Sequence, residues 1–247
     1  RLFESGSARC VIAVEMPSQR STMHLDTVMT MVDRDAFTVY PQVREQLVGH
    51  TLRPTAGLWF NPARSGHGFD LQQLGGAMFV TWYTYRDDGT PTWYQAAAAM
   101  ADPWVGTLNR YTWDAASGGV RGEVVGELRL DFAGASTANL QWRLGARSGN
   151  ELLQALIAEP ALAAPDRTGT WYDPAEPGWG LTVYGASDSR VAILYFYDGE
   201  HQPRWVLGQG SNAANELVPV RSYRGFCPDC AYVAPQAVDG GTLDWRF

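Results

Sequence analysis

The sequence contains no lysine: all 19 of its cationic side chains are arginine. Schiff-base catalysis and phosphate-loop nucleotide binding both need a lysine, so neither chemistry is open to this chain. The net charge of −7 also argues against a general nucleic-acid binder, because such a protein needs excess cationic side chains to displace counterions from phosphates. We therefore expect no nucleic acid among its partners.

Long apolar runs are missing as well. No segment approaches the run of about eighteen apolar residues that a membrane-spanning helix needs, so we expect no membrane span. Hydrophobic residues make up 45% of the sequence and charged residues 18%. These proportions are typical of a folded globular protein and exclude a disordered chain.

Cysteine is scarce, with three residues in all. Cys10 lies in an apolar run and has the character of a small core residue. Cys227 and Cys230 form one isolated CxxC pair, whereas a zinc site would need a second pair or histidines at matching spacing. A local disulfide and two free thiols remain the alternatives for this pair, and we expect no metal and no cofactor.

A change in composition marks a domain boundary near residue 55. All ten tryptophans lie at or beyond position 59, while four of the six methionines lie at or before position 31. The segment His50–Thr55, which contains Pro54, lies between the two compositions and is the natural junction.

Behind this boundary the sequence repeats itself. Gly57–Phe69 matches Gly169–Leu181 at an offset of 112, and the same offset holds without a gap for three further pairs: Tyr85 and Tyr197, Pro91 and Pro203, and Trp93 and Trp205. Each copy also ends on a similar phrase, Leu140–Arg143 in the first and Leu243–Arg246 in the second. The sequence therefore predicts two copies of one module.

Each module has the pattern of antiparallel β structure. Met78–Tyr85 and Val191–Tyr197 are rich in β-branched and aromatic residues, and a glycine-containing turn follows each of them. Val124–Phe132 alternates apolar and polar residues with the period of a half-buried strand. Only Gly149–Ala158 has a helical pattern.

We thus predict a mainly β protein with two tandem antiparallel β modules, barrel-like in form, behind a short α/β N-terminal segment. The predicted domains are residues 1–54, a first module at 55–145, a linker with a short helix at 146–166, and a second module at 167–247. The Gly-x-Trp openings and Trp-Arg endings resemble small up-and-down barrels of the lipocalin and avidin kind. The module also resembles an uncharacterised bacterial repeat of the form G-x-W-[FYW]-[ND]-P-x-x-x-G-x-G.

The N-terminal segment resembles the bacterial arginine deiminases. The likeness runs from Val11 to Val28 and continues from Val32 to Pro41, and its most specific part is the motif Met23–Thr27. The resemblance implies a five-unit α/β propeller in which a cysteine attacks the guanidinium carbon of arginine. A histidine moves protons, carboxylates hold the guanidinium group, and the products are citrulline and ammonia.

Carried over by motif, His24 would be the general acid/base and Asp26 would bind the guanidinium group. The family also has acidic residues upstream of this motif, which would precede Arg1, and a nucleophilic cysteine far downstream in a glycine-rich stretch. Here β modules follow instead, and Cys227 and Cys230 are the only downstream cysteines. Cys227 lacks the glycine run, so the interpretation we favour is an incomplete deiminase segment.

Other acidic residues offer a weaker hypothesis. Asp70, Asp87, Asp88, Asp173 and Glu176 are candidates for the carboxylate pair of a glycoside hydrolase. We favour local roles in turns, because aspartate side chains bond to nearby backbone amides there. His67 corresponds to Trp179 in the second copy, so we expect a loop contact there rather than a ligand.

Most of the aromatic residues should lie in the core. We expect Trp59, Trp171 and Trp179, which lie among glycines and prolines, to be partly exposed and able to stack on a sugar ring or a peptide. The leading hypothesis is a non-catalytic binding or structural protein whose ligand is a carbohydrate or a protein. The alternative is a deiminase-type hydrolase acting on arginine or another guanidino compound. A deiminase would be cytoplasmic, whereas the β modules suggest export.

The deiminase hypothesis leads to a first test. We expect the purified chain to release no citrulline from arginine, because the nucleophile and the base must lie within hydrogen-bond reach and the cysteine context is missing. Citrulline is measured directly, with His24→Ala and Cys227→Ala/Cys230→Ala variants alongside. Turnover that is lost in both variants would establish a working deiminase site.

Overall fold

The computed structural model describes residues 29–31, 37–39, 54–156, 167–186, 189–211 and 215–246. The chain divides into two compact units, Arg1–Thr51 and Leu52–Phe247, and the division falls within the predicted junction. In the first unit, strands β1 (Met29–Met31) and β2 (Phe37–Val39) form an antiparallel pair. Within the described residues, no helix is long and apolar enough to cross a bilayer.

Eight strands of the second unit form a closed antiparallel barrel in up-and-down order. They are β3 (Gly57–Phe60), β4 (Gly68–Leu74), β5 (Ala77–Tyr85), β6 (Pro91–Ala99), β7 (Trp104–Asp114), β8 (Gly119–Gly134), β9 (Thr137–Leu144) and β10 (Arg147–Ala155). The ring closes because β10 pairs with β3 as well as with β9. Closure leaves this module without a free strand edge.

The barrel interior is filled by apolar side chains. Along β9, buried and exposed residues alternate from Ala138 to Leu144, as the pleat of a strand requires. The indole rings of Trp59, Trp82 and Trp104 are fully buried in this core. Each large aromatic ring removes about 150–250 Å² from water, so a few of them supply much of the stabilisation.

The predicted helix at Gly149–Ala158 is wrong, because Arg147–Ala155 is strand β10. Glu151 and Leu153 point inward while their neighbours are exposed, which is strand periodicity. The strand pairs with β9 on one side and β3 on the other, and these tertiary contacts override the helix propensity of the leucine-rich stretch. The first module therefore extends through Ala155 and not to residue 145.

The second module is a six-stranded antiparallel sheet that is open in the described residues. Its strands are β11 (Gly169–Trp171), β12 (Gly180–Ala186), β13 (Ser189–Tyr197), β14 (Pro203–Ser211), β15 (Asn215–Arg224) and β16 (Gln236–Arg246). The prediction of a mainly β chain with two antiparallel modules is confirmed.

The two modules share a strand register as well as a sequence pattern. Strand β6 pairs with β7 through Ala96 and Leu108, and β14 pairs with β15 through Gly208 and Val220, which lie 112 residues further on. A bulge follows Leu108 in the first module and Val220 in the second. The 112-residue offset therefore extends into β7 and β15, beyond the last sequence match.

The similar end phrases of the two copies do not occupy equivalent strands. Leu243 on β16 lies opposite Val218, just as Leu128 on β8 lies opposite Gly106. The second phrase thus corresponds to part of β8, whereas Leu140–Arg143 lies on β9. In the described residues, the second sheet has no counterparts of β9 and β10.

The modules pack against each other with approximate two-fold symmetry. Tyr83 contacts Trp205 edge-on, and their counterparts Tyr195 and Trp93 make the same contact with the roles of the modules exchanged. The rings of Tyr83 and Tyr195 meet at the centre, 6.4 Å apart. Each surface patch therefore contacts the same patch on the other copy, as in an isologous dimer interface.

Backbone contacts follow the same symmetry. The Trp113 amide donates to the His201 carbonyl at 3.2 Å, and the Gly225 amide donates to the Gly89 carbonyl at 3.1 Å. Trp113 corresponds to Gly225 and Gly89 corresponds to His201, each at the 112-residue offset. The donor amide belongs to the barrel in the first contact and to the second module in the second contact. The interface is thus built from equivalent residues of the two modules, so each residue can be compared with its counterpart in the other module.

One asymmetry is a matched pair of tryptophans. Trp205 Nε1 donates to the Thr84 carbonyl at 3.1 Å, whereas Trp93 Nε1 is buried without a hydrogen-bond partner among the described residues. We predict that Trp205→Phe lowers the free energy of unfolding by about 1 kcal/mol more than Trp93→Phe does, because only Trp205 loses a hydrogen bond. Urea unfolding of both variants measures the difference, and equal losses would contradict the prediction.

Candidate functional site

A cavity of about 440 Å³ lies where the barrel meets the second sheet. Leu58, Phe60, His67, Tyr83 and Tyr85 contribute from the barrel, while the second module contributes Ile193, Trp205, Leu207, Tyr223 and Pro235. Its volume lies in the range of about 300–1,000 Å³ that is usual for small-molecule sites. Aromatic rings and aliphatic side chains make up nearly all of its wall.

The loop between β3 and β4 positions His67 at this wall. A short 3-10 helix, Pro62–Arg64, is capped by the Asn61 side chain, which accepts a hydrogen bond from the Ala63 amide at 3.0 Å. Gly66 follows with a φ of 108°, and a Cβ there would collide with Pro235 of the second module. Glycine is therefore required at this position both by the backbone conformation and by the close approach.

His67 is buried between two polar partners. Its Nδ1 accepts a hydrogen bond from the Trp82 indole at 3.3 Å, and its Nε2 lies 3.1 Å from Glu151 Oε2. An indole N–H can only donate, so Nδ1 is the acceptor and the ring proton lies on Nε2, facing the carboxylate. Trp82 and Glu151 together fix the tautomer and the orientation of the imidazole.

Glu151 is a buried carboxylate held by neighbouring donors. Burial by itself raises the pKa of Glu151, but the contacts with His67 and Asn61 and the charge of Arg64 outweigh burial and lower the pKa below its ordinary value. Asn61 Nδ2 donates to Glu151 Oε2 at 3.0 Å. Glu151 lies on β10, so this cluster exists only in the module whose barrel is closed.

A second buried carboxylate, Asp70, joins the two modules at the centre of their interface. Its Oδ2 accepts a hydrogen bond from Thr182 at 2.9 Å and another from Thr170 at 3.4 Å, and its Oδ1 accepts from Gln72 at 2.8 Å and from Tyr184 at 3.4 Å. Burial raises the pKa of Asp70 above its ordinary value, and the hydrogen bonds offset this only in part. Asp70 and Thr182 are equivalent positions of the two copies.

The segment Gly225–Pro235 of the second module packs on the barrel beside the cavity, whose wall includes Pro235, and we call it the cover segment. The Cys227–Cys230 disulfide closes a small loop within it. Arg64 Nη2 donates to the carbonyls of Pro228 and Cys230, both at 3.0 Å. The guanidinium group of Arg64 also lies over the Phe226 ring, so one barrel arginine holds the cover segment in place.

A related groove of about 530 Å³ lies on the opposite side of the two-fold axis. Gly178, Trp179 and Tyr197 line it and correspond to Gly66, His67 and Tyr85 of the cavity. Trp113 forms a further wall, and its ring packs directly on Gly178, where a Cβ would collide. The two clefts are thus counterparts with different chemistry.

The deiminase-type residues are not brought together with these sites. His24 and Asp26 lie outside the described residues. Cys227 is buried and bonded to Cys230, so its sulfur is not a free thiolate of the kind that nucleophilic attack needs. Of the two alternatives for this CxxC pair, the structure has the disulfide.

The predicted exposure of the three loop tryptophans is confirmed for two of them. Trp171 is 46% exposed and Trp179 is 38% exposed. The expectation for Trp59 is wrong, because its ring is fully buried in the barrel and its Nε1 donates to the Thr55 carbonyl at 2.9 Å. The barrel closes over Trp59 through β10, whereas in the described residues the second sheet has no such strand over Trp171.

Three of the candidate carboxylates have local or ion-pair roles. Asp88 accepts from the Thr90 amide and Asp173 from the Ala175 amide, while Asp87 pairs with Arg147. His67, which we expected to be a loop contact, lies in the loop before β4 and is buried against Glu151. Sequence reasoning also missed the role of Asp70, although its alignment with Thr182 in the repeat was a usable signal.

The comparisons with known proteins concern mainly the N-terminal unit. The model of the arginine deiminase family matches residues 1–61, a short fragment that includes Met23–Thr27 and ends just after β3. The resemblance predicted from that motif is therefore confirmed as a fragment match. No solved structure matches the chain significantly.

The two buried carboxylates should respond to pH in opposite directions. The pKa of Asp70 is raised in the folded protein, so the contribution of Asp70 to stability falls as the pH rises through that pKa. The pKa of Glu151 is lowered in the folded protein, so the contribution of Glu151 is lost as the pH falls through that pKa. Lowering the pH from about 7 to about 4 should therefore stabilise the wild type relative to Asp70→Asn and destabilise it relative to Glu151→Gln. Chemical unfolding across this range measures both, and parallel trends would contradict the assignment.

Proposed function

We propose that this protein binds a neutral, mainly apolar small molecule in the cavity between its two β modules, and that the modules act as a binding unit and not as an enzyme. The observation that carries the proposal is the wall of the cavity. Leu58, Ile193 and Leu207 supply aliphatic surface, and Tyr83 and Trp205 supply aromatic rings. Such walls with a few polar groups are typical of small-molecule sites.

The lining residues argue against nucleophilic catalysis. Among the described residues that line the cavity there is no serine, threonine, cysteine or lysine, and His67 is committed to Trp82 and Glu151. A histidine held in this way gives the wall a fixed shape and a fixed dipole. It has no activated nucleophile beside it, which acyl-transfer or hydrolytic chemistry of the triad type would require.

The same lining disfavours arginine as the ligand. A guanidinium group needs a carboxylate that can accept its paired N–H groups. Neither Asp70 nor Glu151 lines the cavity, and each already accepts hydrogen bonds from neighbouring side chains. A neutral ligand without strong hydrogen-bonding needs suits this wall better.

The deiminase-type alternative rests on the family match to residues 1–61. It would need a thiolate, and Cys227 and Cys230 are joined in a disulfide. That bond also favours an oxidising compartment and hence the exported alternative, because thiols are kept reduced in the cytosol. Stacking of sugars on Trp171 and Trp179, which are exposed, remains a second binding hypothesis.

The neutral fluorescent probe N-phenyl-1-naphthylamine tests the cavity. We expect saturable binding with increased emission, and we expect Leu207→Phe to weaken binding about tenfold, because the added ring occupies cavity space and overpacking costs about 1–3 kcal/mol. Leu217→Phe is the matched control, since Leu217 is exposed on the neighbouring strand β15 and does not line the cavity. Equal affinity in both variants would show that the probe binds elsewhere.

A further inference from the structure

The internal symmetry allows the groove at Trp179 to be compared with a filled counterpart. On the cavity side, the Phe226 ring of the cover segment packs against two residues: its centroid lies 5.4 Å from that of His67, edge-on, and 6.2 Å from that of Tyr85. Phe226 is almost completely buried there. This side of the interface thus has a binding position for a phenyl ring, and the Phe226 side chain occupies it.

The groove has residues at both positions that contact the Phe226 ring on the cavity side. His67 corresponds to Trp179 and Tyr85 to Tyr197, and both Trp179 and Tyr197 line the groove. The residue that corresponds to Phe226 is Asp114, which lies at the end of β7 and turns its carboxylate back to accept the Ala116 amide at 3.0 Å. The aromatic surfaces are therefore present on both sides, while the residue at the ring position in the groove is a half-exposed acid.

The groove has more aromatic surface than its counterpart on the cavity side. Trp113 lies against Tyr197 with a centroid distance of 6.3 Å, and it occupies the place that corresponds to Gly225 on the other side. An indole thus stands where the other side has a glycine, and a second indole, that of Trp179, stands where the other side has a histidine. Both differences give the groove more area for stacking on a flat ring.

The carboxylate that lines the groove, that of Asp198, already has a cationic partner. Asp198 pairs with Arg204 at 2.7 Å and also accepts the Gln202 amide at 2.9 Å. The groove therefore presents aromatic faces without an unpaired carboxylate, which suits a neutral ligand. The Gly225 amide of the cover segment donates to the Gly89 carbonyl, and the equivalent contact beside the groove joins the Trp113 amide to the His201 carbonyl. Both backbone contacts are made within the protein, so a ligand of the groove needs no peptide backbone.

We propose that this groove, lined by Trp113, Trp179 and Tyr197, is a second binding site, and that its ligand is a small, neutral compound with a single aromatic ring. The ring takes the position that the Phe226 side chain takes on the other side of the two-fold axis. The site is separate from the cavity assigned above and does not depend on that assignment.

The test uses benzyl alcohol as the aromatic probe and cyclohexylmethanol as its saturated counterpart, followed by NMR of the tryptophan indole N–H groups. We expect benzyl alcohol to shift the Trp179 and Trp113 signals along a saturable curve. Its affinity should exceed that of cyclohexylmethanol by about three- to tenfold, which corresponds to the added stability of an aromatic pair. Shifts confined to Trp205, which lines the cavity, or equal affinities of the two probes would overturn the proposal.

Two variants separate the groove from general surface binding. Trp179→Ala should weaken benzyl alcohol binding at least about threefold, because one stacking surface is lost. Trp171→Ala is the matched control: Trp171 is a comparably exposed tryptophan of the same module, and it does not line the groove. Both residues are at the surface, so both variants should fold, which thermal unfolding checks. An undiminished affinity in Trp179→Ala, or an equal loss in Trp171→Ala, would refute the site.

Discussion

The packing of Tyr83 and Trp93 of the barrel against Trp205 and Tyr195 of the second sheet is the contact on which the rest of the second unit depends. It joins the closed barrel to the six-stranded sheet across a surface that both copies share. Because aromatic rings are large and rigid, this contact determines the relative orientation of the modules to within narrow limits. The cavity, the groove and the Asp70 cluster all lie around it, and none of them exists in one module alone.

The cavity and the groove have different side chains at equivalent positions, although the strands that carry these side chains pair in the same register. On the cavity side, closure of the barrel through β10 brings Glu151 behind His67 and buries both. In the described residues of the second sheet no strand corresponds to β10, and Trp179 stands in place of the histidine. A buried polar group there would have had no partner, whereas an indole tolerates partial exposure.

Much of the architecture could be predicted from residue patterns. Strong alternation and aromatic content identified the strands, and the 112-residue offset identified the modules. The failures were tertiary in origin: Gly149–Ala155 has helical propensity but is held as a strand by β9 and β3. Trp59 and Trp171 have similar local sequences but differ in burial, because β10 pairs with the strand of Trp59 and no described strand does the same for Trp171. A contact between residues 90 positions apart, as between Asn61 and Glu151, leaves no local signal.

The pairing of Asp70 with Thr182 has a consequence for how such a protein can arise. In a dimer of identical chains, the residue beside the two-fold axis meets a copy of itself, so two aspartates would face each other there. Two buried carboxylates at that distance would repel, and one would have to take up a proton. When both copies belong to one polypeptide, a mutation can change one side without changing the other. The hydroxyl–carboxylate hydrogen bond at 2.9 Å is an interaction that symmetry forbids to the dimer and that gene duplication makes available to the fused pair.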